Sequence, residues 1–183
     1  MTTPPFLAGE RLTASALNHM YAAADASNRS VTAATMTPIS SQYAIDAFDA
    51  AVGTTYRLSC WGVGAQGSSA QTLSFRANTI AGSGLNLVTI ANSFCATTAQ
   101  FRWFARMTTT CAATGSGGTI TGFLEGLVIQ TGVTTPSIQF NSEWTGSAIN
   151  TATNWGIEID CEWGSVTGTP SITCNGTLFE RLG

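Results

Sequence analysis

The chain has 183 residues, a formal net charge of -3 and only 9% charged side chains, against about 25% in ordinary soluble proteins. Lysine is absent and the seven arginines are scattered, which excludes the basic stripe that neutralises nucleic-acid phosphates. No stretch approaches the roughly 18 apolar residues of a membrane-spanning helix, and Met1 to Ala8 carry neither the basic start nor the apolar run of a secretory signal, so cytoplasmic synthesis is expected.

Residues 1–30 follow helix grammar. Thr13 can cap a helix that opens with Ala14-Ser15-Ala16, and Leu12 can staple onto Leu17. Leu17, Met20 or Tyr21, and Ala24 then share one face. At about a dozen residues such a helix is marginal alone, so its stripe needs a surface, either its own domain or a neighbouring subunit. Pro4-Pro5 before it and Ser27-Asn28-Arg29-Ser30 after it read as linker.

From Val31 the pattern changes to short alternating runs between Gly, Ser, Thr, Asn and Pro clusters. Strands are predicted at 31–36, 43–48, 55–63, 71–77, 85–91, 100–108, 119–130, 137–144, 154–163 and 171–180. Together they predict an all-β chain, an antiparallel β-sandwich of jelly-roll type over 31–183, preceded by a short N-terminal helical arm over 1–30. Its surface would rest on hydroxyls, since the chain holds 29 Thr and 17 Ser, and threonine also favours strands.

Residues 60–69 contain Gly62, Gly64 and Gly67 in the order G-x-G-x-x-G. A dinucleotide loop also needs a helix after it and an acidic residue about 20 positions on. Here Leu73, Phe75 and Ala77 alternate with polar residues, which predicts a strand, and no Asp or Glu occurs from Ala50 to Leu124. A glycine-rich connection between strands is the expected reading.

Chemistry-bearing side chains are sparse. Cys60, Cys95, Cys111, Cys161 and Cys174 are widely spaced, with no C-x-x-C and only His19 to join them, so free thiols are expected and no metal or cofactor site. His19, on the polar side of the predicted helix, reads as solvated. Without a second His or a Lys, a Ser or Cys nucleophile lacks its usual base. Glu158, Asp160 and Glu162 lie at strand steps of roughly 6.5 to 7 Å, a spacing compatible with glycoside hydrolysis or part of a calcium site. Their alternation with Trp155, Ile157, Ile159, Cys161 and Trp163 predicts an outward polar face, which would leave the pKa values of a catalytic pair unperturbed. No enzyme activity is expected. Trp103, Trp155 and Trp163 fall on core faces. Trp61, out of phase with Leu58 and Cys60, should face solvent or a partner subunit; with Trp144 it forms the candidate pair for glycan or subunit contact.

The segment Phe6-Leu-Ala-Gly-Glu-Arg-Leu-Thr-Ala-Ser-Ala-Leu-Asn18 resembles a pattern, F-x-A-G-E/Q-x-L-T-A-x-x-L-N, at the N-termini of virion structural proteins of tailed phages, especially those of actinobacterial hosts. The β-rich remainder, including Tyr56 to Gly62, Gln71 to Arg76 and Gly176 to Gly183, looks like the jelly-roll modules attached to such arms. The resemblance implies a virion component of capsid decoration, head fibre or minor tail type. A homotrimeric decoration protein, bound to the major capsid protein through Phe6, Leu7, Leu12, Leu17, Met20 and Tyr21, is the first expectation. A tail-associated module that binds host surface glycan is the alternative.

Overall fold

The computed structural model describes residues 22–69, 71–80, 85–93, 100–131 and 137–182. Phe6, Leu7, Leu12, Leu17, Met20 and Tyr21 of the predicted arm, with His19 and Cys95, lie outside the described residues. In chain order the strands are β1 (Ala22–Asp25), β2 (Arg29–Val31), β3 (Thr37–Pro38), β4 (Tyr43–Ile45), β5 (Thr55–Ala65), β6 (Thr72–Thr79), β7 (Leu85–Ser93), β8 (Gln100–Ala113), β9 (Gly118–Thr131), β10 (Ile138–Ile149), β11 (Trp155–Trp163) and β12 (Ser171–Arg181).

They form two antiparallel sheets. The seven-stranded sheet runs β1-β12-β5-β8-β9-β10, with β2 also on β12; the five-stranded sheet runs β3-β11-β6-β7, with β4 also on β11. The chain crosses between sheets at β2 to β3, β4 to β5, β5 to β6, β7 to β8, β10 to β11 and β11 to β12. Each sheet contributes one apolar face to a common core, as period-two alternation requires. Leu58, Cys60, Trp103, Met107 and Leu124 meet Leu73, Phe75, Ile157, Ile159 and Trp163.

Three expectations for the N-terminal part change. Ala24, placed on the predicted helix, belongs to β1, where Ala22 to Asp25 pair with Glu180 to Thr177. Arg29 to Val31, read partly as linker, pair with Cys174 to Ile172. The sandwich therefore includes Ala22 to Val31, inside the segment assigned to the arm, because β12 offers backbone partners there that outweigh local helix periodicity. The predicted strand 31–36 is also absent beyond Val31. Its backbone instead serves the buried Trp163, whose amide N–H donates to Ala33 O at 3.0 Å and whose indole N–H donates to Val31 O at 3.2 Å.

The glycines of the G-x-G-x-x-G segment do structural work. Gly67 turns the chain after β5 with φ +76°, a region that favours glycine. Gly64 lies inside β5 beneath the Phe101 ring; a Cβ there would come within 2.2 Å of Phe101 Cζ. Gly62 faces a β-bulge in β12 between Cys174 and Gly176. There the Thr173 carbonyl oxygen would lie 1.8 Å from a Cβ on Gly62. That carbonyl accepts the buried Trp103 indole N–H at 3.1 Å. Side chains at 62 and 64 would displace a backbone acceptor and a core ring.

Phe140 and Trp144 of β10 use the same device. Phe140 lies over Gly126 and Trp144 over Gly122 of β9, and Phe140 then stacks on Phe75 of the opposite sheet with centroids 5.0 Å apart.

Gly62→Ala is expected to lower unfolding free energy by about 1–3 kcal/mol, the usual cost of an overpacked site. Gly117→Ala, where a Cβ would meet nothing within 4 Å, should change it by less than about 0.5 kcal/mol. Urea unfolding of the two variants checks the contrast; equal effects would remove the role given to Gly62.

Candidate functional site

The outer faces of the two sheets differ in chemistry. On the five-stranded sheet, Glu158 and Asp160 of β11 stand beside Arg76 and Asn78 of β6. The register pairs Glu158 with Asn78 and Asp160 with Arg76. Sequence reading placed both carboxylates in solvent, but Glu158 is only 5% and Asp160 only 1% exposed. Partners from neighbouring strands and the β3–β4 connection close around them.

Gln42 Nε2 donates to Glu158 Oε2 at 2.5 Å, and Asn78 Nδ2 to Oε1 at 2.7 Å. Asp160 Oδ2 receives Arg76 Nε at 2.9 Å, Arg76 Nη2, and Asn78 Nδ2 at 3.2 Å. Asp160 Oδ1 is buried without a partner. Burial raises the pKa of both carboxyls; Gln42 opposes it at Glu158 and Arg76 opposes it at Asp160, in each case without cancelling it.

This meets the raised-pKa condition for an acid catalyst that the sequence reading withheld. The bonding pattern does not present a reacting group, however. Each Glu158 oxygen already accepts an amide donor, and the Asp160 oxygen nearest Arg76 carries the ion pair. The arrangement ties β6, β11 and the Gln42 segment together. Glu162 is half-exposed. Among the described residues no group of three His, Cys, Asp or Glu side chains could hold a metal ion, and Cys60, Cys111, Cys161 and Cys174 are buried free thiols.

The outer face of the seven-stranded sheet carries an apolar patch rimmed by polar and charged side chains. Trp61 is 43% exposed, as its phase predicts, with its ring laid over Gly176 of β12. Trp144, the other candidate, is corrected: it is only 7% exposed and belongs to the core. Its phase with Phe140 along β10 carried the signal. Trp61, Phe104 and Leu127 are direct cross-strand neighbours on β5, β8 and β9. Val63 and Ile129 flank Arg102 in the next row, and all three are exposed.

Alongside this row runs a groove of about 560 Å³ lined by Phe104, Arg106, Glu125, Leu127, Gln139 and Asn141. A second hollow of about 430 Å³ adjoins it at Glu125 and Asn141. Arg106 bonds to Glu125 at 3.4 Å and lies over the Phe104 ring, 5.2 Å from its centroid. Period two along β8 places Arg102, Phe104 and Arg106 on one outward face, but the neighbouring apolar rows are brought together only by strand register.

No protein-family model matches the chain, and no curated protein matches it. Among solved structures, one described as the structure of infectious bursal disease virus Gx strain aligns with 85% of this chain at 17% identity and a TM-score of 0.20. The chain spans 42% of that protein's length, and a likeness at this TM-score carries no argument about fold or role.

The buried carboxylates set a pH dependence. Their folded pKa values lie above the unfolded ones, so their stabilising contribution is full below the ordinary carboxylate range and is lost as pH rises through the folded values. Asp25 acts oppositely. Hydrogen bonds from Ser27 and Ser41 hold its pKa at about 2, so its contribution is lost only as pH falls toward that value. The melting temperature is therefore expected to fall as pH rises out of the ordinary carboxylate range, and Glu158→Gln should flatten that slope. A thermal-melt series upward from that range checks both; a melting temperature that rises with pH there in the wild type would contradict the network.

Proposed function

We propose that this chain is a non-enzymatic structural component of a phage virion, a capsid decoration protein whose sandwich is displayed on the shell while the segment before it anchors to the major capsid protein. The observation that carries this reading is the sequence of Phe6 to Asn18, whose likeness to the N-terminal arms of virion structural proteins stands ahead of an all-β sandwich. An anchoring arm followed by a displayed module suits that order.

Strand order supports the finer fold reading. With β9 and β10 set aside, β1/β2-β12-β5-β8 faces β3/β4-β11-β6-β7, the alternation between sheets that marks a jelly roll. That architecture serves many roles, so the analogy adds support at fold level only. A surface of few charges, with hydroxyl pairs such as Thr55–Thr110 and Ser30–Thr173, each at 2.8 Å, suits a durable exposed part.

A second reading, a tail-associated glycan-binding module, is favoured by one observation: exposed Trp61 lies near a groove bearing Gln139, Asn141, Arg106 and Glu125. Planar amide, guanidinium and carboxylate groups can bond to sugar hydroxyls in pairs.

Quantitative mass spectrometry of purified virions separates the readings. Decoration requires hundreds of copies per particle; a handful would contradict it and favour the tail. Leu12→Asp with Leu17→Asp should remove the protein from particles without changing the melting temperature of the free chain. On a broad glycan array the decoration reading expects no signal. The glycan reading expects one that Trp61→Ala and Asn141→Ala each weaken at least tenfold.

A further inference from the structure

We propose that the outer face of the seven-stranded sheet is a self-complementary interface that seats the same face of a second copy of this chain. The proposal rests on the reading above only in taking copies of the chain to be neighbours; virion copy number tests that reading, and solution mass tests this one.

The face is unusual for a free sheet surface. Across β5, β8 and β9 run two adjacent rows, Trp61–Phe104–Leu127 and Val63–Arg102–Ile129, set by the strand register. Val63, Trp61 and Ile129 are exposed, while Phe104 and Leu127 are half-buried. The outer face of the other sheet holds Arg76, Asn78, Glu158 and Asp160, bonded among themselves, so its described centre is polar where this one is apolar. Contiguous exposed apolar side chains rimmed by polar ones mark interaction surfaces, and aromatic residues with arginine are enriched in protein interfaces.

Charge indicates which partner fits. Arg57 pairs with Glu180, Arg76 with Asp160, Arg106 with Glu125 and Arg181 with Asp49, whereas exposed Arg102 has no carboxylate partner among the described residues. On β9, Glu125 and Ile129 lie symmetrically either side of Leu127, and Arg102 stands opposite Ile129. A second copy turned over about the row Trp61–Phe104–Leu127 lays its own apolar row on the first. It also brings its Arg106–Glu125 pair over the Arg102–Ile129 pair, so that Glu125 stands beside Arg102 and is shared by the two arginines that face each other. Glu125 then lies between Arg106 of its own chain and Arg102 of the other, twice by symmetry, as an isologous contact requires. Such stacking is the aligned packing that sheet faces adopt, about 10 Å apart.

The extent is adequate. At ~4.8 Å between strands and ~3.3 Å per residue, the face from β12 to β10 covers on the order of 600 Å² in plane. Side-chain relief increases the accessible area toward the ~800 Å² per partner of a stable complex. A glycan fits these two rows less well. Val63, Leu127 and Ile129 give sugar hydroxyls no bond, and Arg106 already lies over the Phe104 ring.

Light scattering after size exclusion tests the proposal on the full chain. The expected mass is twice the 19.0 kDa of one chain. Trp61→Ala should weaken dimerisation by ~30-fold or more, the effect of losing a central aromatic anchor. The exposed change Arg102→Glu should weaken it at least tenfold while leaving the melting temperature of the dissociated chain unaltered. A monomer at high concentration, a threefold mass, or a dimer indifferent to both substitutions would overturn the proposal. Glycan capture by a monomer would overturn it in favour of the sugar reading.

Discussion

Aromatic rings laid on glycine backbones set how the two sheets meet. Phe101 occupies the space above Gly64, Phe140 that above Gly126 and Trp144 that above Gly122, in each case where a Cβ would fall within 2.5 Å of the ring. A ring seated on bare backbone lies low and reaches across strands. Phe140, near the outer edge of its sheet, thereby stacks on Phe75 of the other sheet, and Phe75 in turn packs against Trp103 at 5.6 Å. With few charges to organise the chain, the core is specified by shape, and the glycines are part of that shape.

This constraint explains which parts of the fold were legible in the sequence. From Thr55 onward, alternation marks most of the strands and their core faces, because successive side chains of a strand point to opposite sides of its sheet. Alternation does not reveal what covers the second face. Glu158 and Asp160 follow the polar phase of β11, yet Gln42, Arg76 and Asn78, brought in from distant parts of the chain, enclose them. The start of the sandwich was hidden for a related reason. Ala22 to Asp25 carry no strand pattern, and only the free edge of β12 makes them one.

The consequence is a molecule with two unlike outer faces. One is closed by a hydrogen-bonded network in which buried carboxylates are matched by amides and a guanidinium, an arrangement that breaks expensively when one partner is removed. The other leaves Trp61, Val63 and Ile129 open, beside Arg102, which has no carboxylate partner among the described residues. The closed face contributes rigidity, and the open one has unsatisfied chemistry that an association can satisfy. Trp61 connects the two ideas. Its ring rests on Gly176 by the same packing that builds the core, but on the side of the sheet that no other layer of the described residues covers.

The central claim is that this open face becomes covered when the protein assembles. Hydroxyl-radical footprinting of the assembled protein against the dilute free chain tests it at the residue concerned. The account requires Trp61 to be oxidised at least severalfold more slowly in the assembly, while exposed Phe48, remote from the face, reacts equally in both. Equal oxidation of Trp61 in the two states would mean that the face stays open to water, and its role as the working surface would be contradicted.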